Sequence, residues 1–128
     1  MNLLLDSHTL VWMHEEPGRL SIKAATQISN SSNQLYLSIA SIWELQIKIS
    51  TGKLGFSDTL ENVVIKQQYT NNISILPVEF PHVLYLENLP YHHKDPFDRM
   101  LISQAIVENM TLVSADKHFA KYPVGLLW

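Results

Sequence analysis

Leu3-Leu4-Leu5-Asp6 is a three-residue apolar run that ends on a carboxylate. An uninterrupted apolar run suits a strand of a parallel sheet with both faces covered, because a strand with one wet face would alternate. Leu35-Tyr36-Leu37-Ser38, Ile73-Ser74-Ile75-Leu76-Pro77-Val78 and Thr111-Leu112-Val113-Ser114 also read as strands, with Val124-Gly125-Leu126-Leu127 as a small closing one.

The intervening stretches have helical period. Asp6 caps a helix from Ser7 to about His14, broken by Glu15-Glu16-Pro17-Gly18. Ser21 opens a second, with Ile22, Ala25 and Ile28 on one face. Residues 39–50 carry Ile42, Leu45 and Ile49 on one stripe, with Trp43 and Ile47 beside it, and end at Thr51-Gly52. Ser57-Asp58 caps a helix through about Tyr69, with Leu60, Val63 and Val64 inward. Phe80 to Glu87 reads as a short helix, and so does the segment around His118-Phe119-Ala120. Asp95-Pro96 is an N-cap and first helical residue, opening a helix to about Asn109. Strands alternating with helices predict one α/β domain over residues 1–128, with a mainly parallel central sheet of four to five strands.

Composition agrees with a packed interior: 46% of residues are apolar and 16% charged, unlike a disordered chain. The absence of cysteine excludes disulfides and thiolate metal sites. The apolar N-terminal run is too short for a signal peptide or membrane span, so a cytoplasmic protein without membrane attachment is expected. The net charge of −3 is unevenly composed. Setting aside Asp6, Glu44, Asp95, Asp98 and Asp116 leaves seven acidic residues against nine Lys plus Arg, which is compatible with a polyanionic partner.

Those five carboxylates carry the functional reading. Asp6 and Asp116 follow strands directly, Glu44 lies early in the helix after residues 35–38, and Asp98 is in the first turn of its own helix. In a parallel sheet these positions all face the crevice at the C-terminal strand ends. Each also has a plainer explanation: Asp6, Asp95 and Asp116 as N-caps, and Ser41-Ile42-Trp43-Glu44 as a capping box. Capping alone does not require Asp98 when Asp95 already caps. Oxygen ligands without cysteine suit Mg²⁺ or Mn²⁺, a pairing that serves phosphodiester hydrolysis by activated water.

Four segments together resemble the PIN-domain family, and more closely its VapC-type toxins of toxin–antitoxin pairs: Leu4-Leu5-Asp6-Ser7-His8-Thr9-Leu10-Val11-Trp12, Ser38-Ile39-Ala40-Ser41-Ile42-Trp43-Glu44-Leu45, His92-His93-Lys94-Asp95-Pro96-Phe97-Asp98-Arg99-Met100-Leu101-Ile102, and Leu112-Val113-Ser114-Ala115-Asp116. The resemblance implies a three-layer α/β/α fold and an Mg²⁺- or Mn²⁺-dependent endoribonuclease. Asp6, Glu44, Asp98 and Asp116 fall on the family's acidic positions, where they serve as catalytic metal ligands. Ser114 falls on a supporting hydroxyl position, and Asp95 belongs to the D-P-F-D-R pattern with a supporting role. The resemblance further implies an RNA substrate, a small antitoxin that lies in a groove and reaches the acidic site, and a homodimer. Trp43 and Ile47 are candidates to line such a groove.

Other residues admit more than one role. Adjacent His92 and His93 must point in different directions, and a structural or substrate-contacting role outweighs metal ligation for them. Arg99 either pairs with a carboxylate or holds phosphate. Lys48, Lys53, Lys94 and Lys117 lie near the expected site edge as phosphate contacts or as solvated charges. Trp12, Trp43 and Trp128 are base-stacking candidates or packing residues. The main alternative is a PIN-like binding or regulatory module with the acidic site but little turnover. A phosphoacceptor domain of the receiver type needs an acidic pair beside the first strand, where Asp6 stands alone, and a D-x-D phosphatase fails at Asp6-Ser7-His8.

Overall fold

The apolar runs do form strands. A computed structural model describes residues 1–128. It places β1 (Asn2–Leu5), β2 (Gln34–Ser38), β3 (Ser74–Leu76), β4 (Thr111–Val113) and β5 (Gly125–Leu127) in one sheet of order β3-β2-β1-β4-β5, with every pairing parallel. The helices are α1 (Ser7–Glu15), α2 (Ile22–Ser29), α3 (Ile39–Ser50), α4 (Leu60–Asn71), α5 (Phe80–Tyr85) and α6 (Pro96–Val107), with single 3₁₀ turns at Pro17–Arg19, Leu86–Asn88 and Lys117–Lys121.

The central strand shows why the run carries no polar residue. Leu3 and Leu5 face one layer, where they pack with Leu10, Ala24, Ile28 and Val64 of α1, α2 and α4. Leu4 faces the other, with Leu101, Ile102 and Ala105 of α6 and Phe119. All three leucines are fully buried, because successive strand side chains point to opposite faces and helices cover both. The result is the expected three-layer α/β/α arrangement.

Several local expectations shift. Thr59, not Ser57 or Asp58, caps α4, with its hydroxyl accepting from the Asn62 N–H at 3.1 Å. The Asp58 carboxylate accepts from the neighbouring Thr59 N–H instead. Ser38 caps α3, so Ser41-Ile42-Trp43-Glu44 lies inside the helix and is not a capping box. The third strand is limited to Ser74–Leu76, since Pro77 has no N–H to extend a ladder. The 80–87 segment splits into α5 and the 3₁₀ turn.

From β1 the chain winds outward through β2 to β3, then crosses to the other side of β1 for β4 and β5. The strand order therefore reverses between β1 and β4, and a crevice opens above their C-terminal ends.

Candidate functional site

Asp6 and Asp116 leave the two strands that flank this reversal. The Asp6 N–H donates to the Val113 carbonyl at 3.2 Å, tying the end of β1 to the end of β4. Its Oδ1 accepts from the Thr9 N–H at 2.8 Å, which caps α1 and fixes the carboxylate at the helix N-terminus. Asp116 caps the following 3₁₀ turn by accepting from the His118 N–H at 2.9 Å, and its own N–H donates to the Ser114 hydroxyl at 3.0 Å. Capping and cleft placement are thus compatible at both positions: Asp6 and Asp116 line one cleft with His8, Trp12 and Ala115.

Glu44, in the second turn of α3, is buried and accepts from the Ser7 hydroxyl at 2.8 Å, while Lys48 Nζ lies 3.6 Å from its other oxygen. Asp95 behaves as the sequence indicates, accepting from the N–H groups of Phe97 and Asp98 at 2.9 and 3.0 Å. That leaves the Asp98 carboxylate free of capping duty and turned toward its neighbours.

Asp98 is the hub. Ligand atoms of Glu44, Asp95 and Asp98 lie within 4.8 Å of one another, and so do those of His93, Asp98 and Asp116. Burial, and then the negative charges of Asp95 and Glu44, push the Asp98 carboxyl up to about 7; His93 opposes the rise and Asp116 adds to it. Burial also raises Asp116, but the backbone N–H and imidazole of His118, with His93, hold its carboxyl below the ordinary carboxylate range. Asp6 belongs to neither three-residue group and meets the cluster across the cleft it shares with Asp116.

His93 is the member that sequence reasoning underrated. Its Nε2 lies 2.8 Å from Asp98 Oδ2 and 3.8 Å from Asp116 Oδ2, out of line for a hydrogen bond to either. Its Nδ1 faces the Asp95 N–H at 3.5 Å, so the ring proton sits on Nε2, toward the carboxylates. His92 instead packs against the Tyr122 ring. Which of two adjacent histidines turns inward depends on the loop path, and that path is set by long-range contacts. The His93 N–H donates to Tyr122 Oη at 2.8 Å, and that hydroxyl donates to the Pro90 carbonyl at 2.7 Å.

Arg99 takes a role the sequence did not suggest. It pairs with no carboxylate, and although it borders a cleft with Tyr91 and Lys94, its guanidinium is engaged by backbone carbonyls. It is 5% exposed. Its guanidinium donates to the carbonyls of Leu86, Leu89, Pro90 and His93 and lies 4.0 Å from the centroid of the Tyr91 ring. It is therefore the pin that holds the 86–93 segment, and with it His93, against α6.

Residues 3–125 match the PIN domain family. The chain belongs to the PIN-domain family. No curated protein sequence matches it. Among solved structures, this PIN domain is similar to a chain of VapBC2 from Rickettsia felis bound to a DNA fragment from its promoter, with 20% identity, a TM-score of 0.70, and coverage of 98% of this chain and 97% of that one. It is also similar to VapBC-1 from nontypeable Haemophilus influenzae (17%, TM-score 0.62, 98% and 96% covered). A third likeness is FitAcB from Neisseria gonorrhoeae (17%, TM-score 0.60, 97% and 95% covered). At these identities the likeness is one of fold.

The donor set of this PIN domain fits a divalent cation. It offers carboxylate oxygens and no thiolate, several within 4.8 Å of one another. Burial first, and then the neighbouring carboxylates of Asp95 and Glu44, disfavour a bare charge on Asp98, and a bound cation would relieve both. No helix is long and apolar enough to cross a membrane.

Proposed function

We propose that this PIN domain is a metal-dependent endoribonuclease, the toxin of a VapC-type toxin–antitoxin pair. The observation that carries the reading is the convergence of Glu44, Asp95, Asp98 and Asp116 around Asp98 beside the β1/β4 reversal, with Asp6 across the cleft. Glu44, Asp98, Asp116 and Asp6 would hold Mg²⁺ or Mn²⁺. Such an ion, when bound, lowers the pKa of water for attack on a phosphodiester and offsets charge on the leaving oxygen.

The chain's own groups prepare that site. Ser7 fixes one oxygen of Glu44, and the Asp95 cap sets the start of α6 so that Asp98 faces inward. Ser114 holds the backbone at Asp116. His93 Nε2 lies beside the carboxylates of Asp98 and Asp116, and Arg99 keeps its loop in place. The hydrophobic layers below exclude water from the base of the site.

The partner reading draws on the VapBC likeness and on a groove of about 380 Å³ lined by Ile39, Trp43, Val78, Leu86, Phe97 and Met100. Trp43 is 62% exposed there, although it meets Phe97 edge-on at 5.2 Å. Ile47, half-exposed, lies outside the groove. We assign this groove to the antitoxin, and the same reading carries a homodimer, which sedimentation equilibrium tests. The test of the activity is RNA cleavage by purified protein with Mg²⁺ or Mn²⁺. It should be lost in EDTA and in Asp98→Asn, and cleavage undiminished by EDTA would refute it.

A further inference from the structure

Two clefts meet at His8, near the N-terminus of α1. One, of about 160 Å³, is lined by Ser7, His8, Val11, Lys48 and Lys53 among others. The other, of about 270 Å³, is lined by Asp6, His8, Trp12, Ala115 and Asp116. They differ in chemistry. The first holds two ammonium groups, and Lys48 lies 3.6 Å from Glu44, so an anion bound there sits at the rim of the acidic cluster. The second holds an aromatic pair one helical turn apart, His8 and Trp12, with ring centroids 6.0 Å apart.

Trp12 is only half-buried and packs against neither apolar layer, whereas Trp128 joins the core. Its ring meets Trp128 at 5.5 Å and carries the Arg19 guanidinium 4.5 Å from its centroid. A planar base entering here would find aromatic and cationic partners together, the pairing that single-stranded nucleic acid sites use. A phosphate approaching the carboxylates directly would be repelled, and Lys48, beside Glu44, with Lys53 supplies offsetting charge in the adjoining cleft.

The structure assigns to these clefts two adjoining RNA subsites at the edge of the acidic site: a backbone-phosphate subsite at Lys48 and Lys53, and a base-stacking subsite at His8 and Trp12. A strand occupying both passes over His8 and runs alongside Asp6 and Asp116. The substrate segment is single-stranded, because a base paired and stacked in a duplex does not reach an aromatic side chain. This assignment rests on the ribonuclease reading and adds the track to it.

The experiment uses the full chain carrying Asp98→Asn to suppress cleavage, a fluorescein-labelled oligouridylate as probe, and anisotropy across a salt series. Replacing Lys48 and Lys53 by Gln should reduce the salt slope of log K by about 0.7 for each phosphate no longer neutralised. Trp12→Leu should weaken binding about tenfold or more. Trp12→Phe keeps a ring in place and should bind closely to the parent, while the quenching of tryptophan fluorescence by the oligonucleotide falls to what Trp43 and Trp128 contribute. If RNA binds with an unchanged salt slope in the lysine variant, if Trp12→Leu binds as tightly as the parent, if quenching is undiminished in Trp12→Phe, or if duplex RNA binds as tightly as the single strand, the track is overturned and the nuclease reading stands. If no RNA binds and the unmodified protein cleaves none with Mg²⁺ or Mn²⁺, both fall.

Discussion

Replacing Asp98 by Asn should make this protein more stable and inactive at once. The Asp98 carboxyl is pushed up to about 7 in the fold, against an ordinary value of 3.8. A carboxyl with a raised folded pKa binds more protons in the native state than in the unfolded one between those values, so its contribution to stability falls as pH rises through that window. The penalty is absent below about pH 4 and complete above about pH 7. At about 1.4 kcal/mol for each tenfold change in proton affinity, the ceiling is about 4 kcal/mol. With the Asp98 side chain 20% exposed, screening by water reduces this to about 1–2 kcal/mol. For a chain of this size that corresponds to a gain in Tm of about 4–8 °C at pH 8 in EDTA. The gain should vanish near pH 4, where both proteins carry a neutral group at position 98. Mg²⁺ or Mn²⁺ should then raise the Tm of the unmodified protein at pH 8 and leave the variant almost unchanged, since ligands that bind only the native state stabilise it by mass action. Differential scanning calorimetry at the two pH values, with and without metal, measures all of this. A variant no more stable than the parent at pH 8, or a gap of equal size at pH 4, would refute the argument from burial and charge crowding.

His93→Ala removes the neighbour that lowers the Asp98 carboxyl, so carboxyl NMR should show it titrating higher in the variant than in the parent, and Mn²⁺ affinity by calorimetry should fall more at pH 6.5 than at pH 9. Arg99→Lys exchanges a planar fork bonded to four carbonyls for a single ammonium, and should cost about 2–3 kcal/mol in urea unfolding. Its amide exchange should speed up from residue 86 to residue 93 while β1 stays protected. Ser7→Ala removes a hydroxyl that donates to buried Glu44, with an expected loss of about 1–2 kcal/mol and weaker metal binding, both of which Ser7→Thr should partly restore.

Strand identity was legible because it depends on local pattern: Leu3, Leu4 and Leu5 cannot all be buried unless both faces of their strand are covered. The Asp95 cap was equally local, since a proline one residue on leaves little else for that carboxylate to do. Local reading failed where two motifs competed over a few residues. Ser38, Ser41, Ser57 and Thr59 are all competent caps, and the choice among them follows from where each helix meets the sheet.

The sequence by itself determined the alternation of strands and helices, the acidic residues available at strand ends and helix starts, and their resemblance to the PIN-domain family. The tertiary structure alone decided the strand order, which sets Asp6 and Asp116 on the two sides of the reversal between β1 and β4. It also decided that Asp98 is the hub, that His93 and not His92 turns inward, and that Arg99 pins a loop through four carbonyls. The physical reason is one of range. Caps and periodicity arise from neighbours a turn apart, whereas the electrostatics of a cluster depend on charges that the chain brings together only after the sheet has formed.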